Sequence, residues 1–261
     1  MPMPILTLEH ISMSFGGLKA LSRLSLEVDK GSISSLIGPN GAGKTTVFNI
    51  ITGIYRQDRG RVIYRGKDIS RLPGSRVTAL GIARTFQNIR LFQSMTALEN
   101  VMVGMHSKTR SGPLQALFKT PFQVREEKES ARRAFEILEF LGLADLYDDP
   151  ASSLPYGGQR RLEIARAMAA DPGVLLLDEP AAGMNPLETR ELMDLILKLR
   201  ERGLTIVLVE HDMKLVMGIS ESITVLDHGA KIAQGTPDEI RTNEKVIEAY
   251  IGSPMKLQKR R

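Results

Sequence analysis

Along much of the chain, strand patterns alternate with amphipathic helix patterns. The opening stretch ILTLEHISMSF alternates apolar and polar residues, as a half-buried strand does. GVLLLDEP and LTIVLVEH contain short continuous apolar runs, which are typical of strands buried on both faces of a parallel sheet. Between them, PLETRELMDLILKLRERG has its apolar residues at helical spacing. This alternation predicts an α/β core with a largely parallel sheet.

The pattern differs at the beginning and in the middle of the chain. Two strands are predicted on either side of a turn at Lys30–Gly31, and GRVIYRGKDI predicts a hairpin. Residues 97–146 have a helical pattern, interrupted by a basic, loop-like insert near Ser107–Pro121. After that insert, FQVREEKESARRAFEILEFLGL predicts an amphipathic helix. We therefore expect a β-rich beginning and a helical segment inserted into the α/β core.

Composition limits the class of protein. The 261 residues and the hydrophobic fraction of 42% suit one large domain with a full core. The absence of cysteine excludes disulfides and thiolate metal sites and fits a reducing compartment. The N-terminus MPMPILTLEH lacks a basic region followed by an apolar core, and no apolar run approaches the roughly eighteen residues needed to span a bilayer. We expect a chain without a secretory signal that is soluble when isolated.

The net charge of +5 does not indicate a nucleic-acid partner, because most of it lies in one short segment. The C-terminal tail, residues 255–261, contains Lys256, Lys259, Arg260 and Arg261 and no acid. Removing these four charges from +5 leaves +1 on residues 1–254. Such a tail either contacts anionic lipid or stays solvated, and we favour solvation because four charges alone give weak membrane affinity.

The segment GPNGAGKT is a phosphate-binding motif. It matches G-x-x-x-x-G-K-[ST], follows an apolar strand and opens the helical pattern KTTVFNIITG. Glycines let backbone N–H groups close around phosphates, and the start of a helix adds partial positive charge. We expect Lys44 to reach the β- and γ-phosphates and the Thr45 hydroxyl to bind Mg²⁺. The alternative is a glycine-rich turn with a surface lysine. The predicted nucleotide-binding residues here are Gly38, Pro39, Asn40, Gly41, Ala42, Gly43, Lys44, Thr45 and Thr46.

Two acids end the apolar run VLLLDEP. Asp178 follows four apolar residues, so it lies at the carboxyl end of a buried strand, where ligand sites of α/β folds form. We expect Asp178 to hold Mg²⁺ through water. Glu179 is then positioned to orient and deprotonate an attacking water, a role worth about 10²–10⁴-fold in rate. The alternative is a surface turn with two acids, and the phosphate motif favours the functional interpretation.

These motifs, together with LPYGGQRRLEIARAM shortly before LLLDEP, resemble the ATP-binding subunits of ABC transporters. The five positions of that family's L-S-G-G-Q signature fall on Leu154, Pro155, Tyr156, Gly157 and Gly158, in the register that IARAM fixes. The resemblance implies that Tyr156, Gly157 and Gly158 contact ATP held by the phosphate loop of a second chain. Pro155 lacks the usual hydroxyl and N–H, and Tyr156 replaces a glycine. The alternative is a helix start in which proline and glycine act only as punctuation.

The resemblance gives roles to further residues. Gln87 matches the glutamine that senses Mg²⁺ and couples the core to the helical subdomain, and His211 matches a histidine that contacts the γ-phosphate. Phe15 matches the aromatic residue that stacks on adenine, and Asn185 in the dimer-contact loop stands where aspartate is usual. The alternatives are helix capping for His211 and core packing for Phe15. The implied catalytic residues are Glu179, His211, Lys44 and Gln87, and the implied magnesium-binding residues are Thr45, Gln87 and Asp178.

The resemblance extends from the first strand to about Tyr250 and implies the fold. We expect an ABC-type P-loop ATPase core with a mixed, largely parallel sheet, an N-terminal antiparallel β subdomain and an inserted α-helical subdomain. In one domain spanning residues 1–254, residues 1–87 and 155–240 would form the β subdomain and the nucleotide-binding core. Residues 88–154 would form the helical subdomain, with the signature loop at its end.

Five segments resemble the LivG-type ATPases of branched-chain amino acid importers: SFGGLKAL, ARTFQNIRLF, LPYGGQRRLEIARA, DEPAAGMNP and EHDMKLVMGIS. The resemblance implies ATP hydrolysis with Mg²⁺, membrane permease subunits, a second ATPase subunit and, indirectly, a periplasmic solute-binding protein. It also implies a peripheral location on the cytoplasmic face of the inner membrane. Two alternatives are a subunit for another solute, such as urea, an amide or a lipid, and a non-transport ABC ATPase for nucleic acid or ribosome work. The single cassette without cysteine or heptads disfavours the latter.

Overall fold

The computed structural model describes residues 4–105 and 121–251. The basic tail, residues 255–261, and nearly all of the basic insert near Ser107–Pro121 lie outside the described residues. In chain order, the strands are β1 (Leu6–Phe15), β2 (Leu18–Val28), β3 (Ile33–Ile37), β4 (Arg59–Tyr64), β5 (Lys67–Asp68), β6 (Ile82–Arg84), β7 (Val174–Asp178), β8 (Thr205–Val209), β9 (Ser222–Asp227) and β10 (Ala230–Gly235).

The helices follow the phosphate loop and connect the strands. In chain order they are α1 (Lys44–Ile51), α2 (Gly74–Leu80), α3 (Ala97–Met105), α4 (Pro121–Phe140), α5 (Tyr156–Met168), α6 (Pro186–Glu201), α7 (Met213–Ile219), α8 (Pro237–Arg241) and α9 (Glu244–Ile251). Short 3₁₀ turns lie at Ala144–Leu146 and Ala151–Ser153. Among the described residues, no helix has both the length and the apolar character that crossing a bilayer requires.

The N-terminal sheet is antiparallel, with strand order β2-β1-β4-β5. The predicted alternation along β1 is observed, since Leu6, Leu8 and Ile11 are buried while their neighbours are less so. The predicted hairpin in GRVIYRGKDI is formed by β4 and β5. The β-rich beginning of the chain is therefore confirmed.

The central sheet has six strands in the order β10-β9-β3-β8-β7-β6. Neighbouring strands are parallel except for β10, which runs antiparallel to β9. All residues of β7 and β8 are buried, which confirms the interpretation of their continuous apolar runs. The turn at Lys30–Gly31 joins β2 to β3, so the two strands beside it belong to different sheets.

The central sheet separates two apolar cores. Successive side chains of a strand point to opposite faces. Accordingly, Leu175 and Leu177 of β7 pack in a cluster with residues of α3, α4, α5 and α6, whereas Val174 and Leu176 pack with α1 and the N-terminal sheet. α3 packs on both α4 and α5, so the inserted helices form one layer on the sheet. A smaller cluster fixes α7, α8 and α9 to β9.

Candidate active site

The phosphate loop lies between the end of β3 at Ile37 and the start of α1 at Lys44. Gly43 has a positive φ of 104°, which side-chain-bearing residues rarely adopt. A Cβ at this position would lie 2.8 Å from Leu21 Cδ2 and 2.9 Å from the carbonyl oxygen of Ala20. Only glycine therefore fits at position 43, and its absence of a side chain lets the phosphate loop pack against β2 directly before α1.

Lys44 is buried, with 6% of its surface exposed, and its ammonium points into the loop. Nζ donates hydrogen bonds to the carbonyl oxygens of Gly38 at 2.7 Å and Pro39 at 3.0 Å. Burial lowers the pKa of Lys44, and the charges of Glu179 and Asp178 oppose this shift. The alternative of a surface lysine is thus wrong, and a buried cation faces the place where phosphates are expected.

Glu179 forms the centre of a hydrogen-bonded group at the carboxyl edge of the sheet. His211 Nε2 lies 2.7 Å from Glu179 Oε1, and because an ionised carboxylate only accepts, the histidine donates. Gln87 Nε2 donates to Glu179 Oε2 at 2.8 Å. Three residues that are far apart in sequence, Glu179, His211 and Gln87, therefore meet at one carboxylate.

The backbone also fixes Glu179. Its φ is +48°, in the left-handed region, and its N–H donates to the carbonyl oxygen of Val209 at 2.8 Å. Side-chain-bearing residues held in this region cost of order 1–3 kcal/mol and cluster at functional sites. The helix-capping alternative for His211 is wrong, because Asp212 accepts from Lys214 and Leu215 and is the N-cap of α7.

The predicted magnesium-binding residues have side-chain oxygen atoms and lie on three different segments of the chain. Asp178 is the last residue of β7, Thr45 is exposed in the first turn of α1, and Gln87 follows β6. Mg²⁺ is usually held by one or two carboxylates together with waters and substrate phosphates. A single carboxylate, a hydroxyl and an amide beside a phosphate loop fit that requirement.

Arg84, which the sequence interpretation did not single out, pairs with Asp178. Its Nη2 lies 2.7 Å from Asp178 Oδ2, with side-chain exposures of 6% and 3%, and Nη1 donates to Asn49 Oδ1 at 2.6 Å. The guanidinium also lies over the rings of Phe48 and Phe86, 5.4 and 5.3 Å from the ring centres. The signal was present in GIARTF, because an arginine inside a buried strand needs a charged or polar partner.

Phe15 is not a core residue, since 43% of its surface is exposed at the end of β1. Its ring meets Tyr55 edge to face, with the ring centres 5.3 Å apart. Tyr55 follows α1 and is 40 residues from Phe15, so no local pattern indicated the pair. The core-packing alternative for Phe15 is wrong, and stacking on a base stays a prediction.

The signature residues open α5. Pro155 is the N-cap, and Gly157 and Gly158 are buried in the first turn. A Cβ on Gly157 would lie 3.0 Å from Glu188 Oε1, so α6 approaches this turn closely. Tyr156 is 42% exposed, and its hydroxyl donates to the carbonyl oxygen of Ala182 at 2.8 Å. The contact of these residues with the nucleotide of a second chain stays a prediction.

A cavity of about 480 Å³ lies beside the loop that contains Gln87, between the inserted helices and the core. Its lining is mostly apolar, with Phe92 of the loop and Val103 of α3 exposed at the surface. Glu163 and Arg166 of α5 add a polar part to the lining. The cavity is therefore a groove into which an apolar segment with polar groups would fit.

The chain is similar to proteins of known class. Residues 21–182 match the family model described as ABC transporter, and residues 230–255 match the model described as branched-chain amino acid ATP-binding cassette transporter. The high-affinity branched-chain amino acid transport ATP-binding protein LivG of Salmonella typhimurium is 50% identical over 253 residues, which is 97% of this chain and 99% of that protein.

Two solved structures have the same fold. An ATP-binding cassette of an ABC transporter in its ADP conformation has a TM-score of 0.84 and 37% identity, over 96% of this chain and 100% of that chain. A dimeric bacterial ABC transporter cassette has a TM-score of 0.76 and 27% identity, over 89% of this chain and 98% of that chain. The predicted fold class, with its mixed central sheet, antiparallel N-terminal sheet and inserted helices, is confirmed.

Proposed function

The chain belongs to the ABC transporter family, and from this membership we propose that it is the ATP-binding and ATP-hydrolysing subunit of an importer for branched-chain amino acids. Both family models and the 50% identity to LivG support the transport class. One observation above all supports hydrolysis: Glu179 is held between Gln87 and His211 beside the buried Lys44.

Each residue of this group has a distinct task. Lys44 and the loop amides bind the β- and γ-phosphates, and Phe15 stacks on the base. Thr45, Gln87 and Asp178, the last through water, would hold Mg²⁺. Bound there, the ion would neutralise charge on the phosphate oxygens. Glu179, oriented by Gln87 and His211, accepts the proton of the attacking water. When nucleotide is bound, the His211 Nε2–H would turn from Glu179 toward the γ-phosphate.

A single chain supplies only part of the reaction site. ABC ATP-binding subunits dimerise, as the similar bacterial cassette does. We infer that Tyr156, Gly157 and Gly158 of one subunit contact the nucleotide held by the phosphate loop of the other. The helix start at α5 offers backbone N–H groups and partial positive charge for this contact. The second subunit is either a copy of this chain or a related ATPase.

ABC ATP-binding subunits work with transmembrane permease components, and we infer that the groove beside Gln87 receives a permease segment. Its exposed Phe92 and Val103 suit apolar side chains of such a segment. Closure of the ATPase dimer would then move the permeases. The proposal implies a peripheral position on the cytoplasmic face of the inner membrane and, indirectly, a periplasmic solute-binding protein.

The substitution Glu179→Gln tests this proposal. The amide keeps the shape of the site and one of the two accepted hydrogen bonds, and it cannot take a proton, so ATP binding is retained and turnover falls by roughly 10²–10⁴-fold. The measurement is Mg-ATP binding and hydrolysis by the chain copurified with its permeases. Glu139→Gln, an exposed residue of α4, is the matched control.

Transport is measured in cells from which the gene for this chain has been deleted. The wild-type chain should restore uptake of labelled leucine, isoleucine or valine, and Glu179→Gln should not. Full hydrolysis by the Glu179→Gln variant would contradict the catalytic role of Glu179. Restored uptake of urea or another amide, without any branched-chain amino acid, would contradict the assigned solute class.

A further inference from the structure

Arg160, just after the signature, is buried at the first turns of α5 and has no role in the mechanism above. Only 4% of its surface is exposed. Nη1 donates to the carbonyl oxygen of Phe86 at 3.0 Å, Nη2 to that of Gln87 at 2.6 Å, and Nε to the Tyr156 hydroxyl at 3.2 Å. A buried guanidinium needs such partners, and here they include two consecutive carbonyls of the loop that contains Gln87.

Glu163, one turn along the same helix, accepts hydrogen bonds from backbone N–H groups of that loop. Its Oε1 accepts from the N–H groups of Phe86 at 3.3 Å and Arg90 at 3.4 Å. Its Oε2 lies 3.5 Å from Arg160 Nη1, and Glu163 is 2% exposed. Burial raises the pKa of Glu163, and the loop N–H groups and nearby arginines oppose the shift. Two side chains of α5 thus engage both donors and acceptors of residues 86–90.

Tyr156 extends these contacts to a second loop. Its hydroxyl accepts from Arg160 and donates to the carbonyl oxygen of Ala182, three residues after Glu179. A Cβ on Gly183 would lie 3.2 Å from the Tyr156 ring, so the ring packs directly on this loop. The first turn of α5 is therefore joined both to the loop of Gln87 and to the loop that follows Glu179.

We propose that Arg160 is a positioning residue. It ties the loop that contains Gln87 (residues 86–90, the Gln87 loop) to the first turn of α5, which begins at Tyr156 (the signature turn), so that both move as one unit. The inference rests on the proposed ATPase function, because its consequence is the orientation of Glu179. Gln87 reaches Glu179 with its side chain, while Arg160 fixes the Gln87 backbone. A lysine has one compact ammonium on a flexible stem and cannot reproduce the planar arrangement of three bonds.

The first test is local and needs no nucleotide. Amide hydrogen exchange of the full chain is compared between wild type, Arg160→Lys and Arg160→Met. We expect exchange in residues 86–90 to become roughly 10- to 100-fold faster, as loss of hydrogen bonds to a charged group implies, while β7 and β8 stay protected. Arg133→Lys, whose guanidinium pairs with Glu129 at the surface of α4, is the control and should change neither region.

The second test separates positioning from a general loss of stability. In the chain copurified with its permeases, Arg160→Lys should lower kcat roughly 10- to 100-fold at unchanged ATP affinity, because a displaced Gln87 misorients Glu179. The kcat of Arg160→Met should be lower than that of Arg160→Lys, because the lysine keeps the positive charge and the methionine does not.

Unchanged exchange in residues 86–90 would overturn the inference, whatever the activity. It would also be overturned by faster exchange with unchanged kcat, or by equal losses of kcat and ATP affinity. Failure of the proposed function would give a different result. The wild-type chain would not hydrolyse ATP, whereas the exchange comparison would still show whether Arg160 holds residues 86–90. If Arg160→Met does not fold, the exchange and kcat of Arg160→Lys alone test the inference, because this variant keeps a positive charge beside the buried Glu163.

Discussion

The buried ion pair of Arg84 and Asp178 joins a residue that stabilises the fold to a residue proposed to bind Mg²⁺. The guanidinium neutralises a carboxylate that is 3% exposed, at the end of the strand where Mg²⁺ is expected. Arg84 also lines the groove beside Gln87, so one side chain contacts both the Asp178 carboxylate and the groove. An occupant of the groove would therefore lie next to the partner of Asp178.

Replacing Arg84 by methionine should destabilise the fold by about 3–5 kcal/mol, because Asp178 is then a buried carboxylate without a partner. The double variant Arg84→Met with Asp178→Asn should recover part of this loss, since the buried charge is also removed. Urea denaturation measures both. The control is Arg61→Met, whose pair with Glu9 is exposed and is worth about 1 kcal/mol or less. Equal losses for Arg84→Met and Arg61→Met would contradict the interpretation.

The sequence singled out Asp178 and Glu179, and the resemblance added Gln87 and His211, but neither indicated Arg84 or Arg160. Motifs are local, and the phosphate loop and the two acids follow fixed spacings that are visible in GPNGAGKT and VLLLDEP. Arg84 reaches Asp178 only because β6 pairs with β7, and Arg160 reaches Gln87 only because α5 packs against the loop after β6. Such contacts depend on pairing between distant segments, which periodicity does not encode.

At the scale of elements, the start of α6 fixes the loop that Tyr156 contacts. Asn185 Oδ1 accepts from the N–H groups of Leu187 at 2.9 Å and Glu188 at 3.0 Å, while Glu188 Oε2 accepts from Asn185 N–H at 2.9 Å. This capping box satisfies N–H groups that a helix start otherwise leaves free. Asparagine in place of the usual aspartate therefore keeps the helix cap without the charge.

The substitution Asn185→Ala should lower the free energy of unfolding by about 0.5–2 kcal/mol, because the cap acceptor is lost. Asn185→Asp is the matched control and should retain stability, since aspartate caps about as well as asparagine. Urea denaturation of the three proteins measures the difference. If the alanine variant were as stable as wild type, the cap would not stabilise α6.

Elements with a strong hydrophobic period were predictable, whereas short helices that depend on a cap or a turn were not. The sequence GTPDEIR contains a capping box, in which Thr236 and Glu239 cap each other's backbone at the start of α8, yet the helix was not predicted. α2 has an N-cap proline without any side-chain cap, so nothing in the sequence marked its start. The division of the chain at residues 88–154 stays a prediction.

At the scale of the whole molecule, the two segments that Arg160 joins have different proposed partners. The Gln87 loop borders the groove proposed for the permease. The signature turn at the start of α5 is the segment proposed to contact the nucleotide of the second subunit. The central sheet, packed on both faces, gives these loops a rigid base. A shift imposed at the groove would therefore reach the subunit interface through α5.

A photoreactive group on the γ-phosphate of ATP tests whether two chains share each site. In the Glu179→Gln variant assembled with its permeases and partner ATPase, Mg²⁺ and this analogue should label Tyr156–Gly158 or the equivalent segment of the partner. The isolated, monomeric chain should not be labelled there, because the proposal assigns this contact to the nucleotide of a second chain. Excess ATP should suppress the labelling, as a specific site requires. Labelling confined to the phosphate loop in the assembled complex would contradict the shared site, since the signature residues would then lie away from the γ-phosphate.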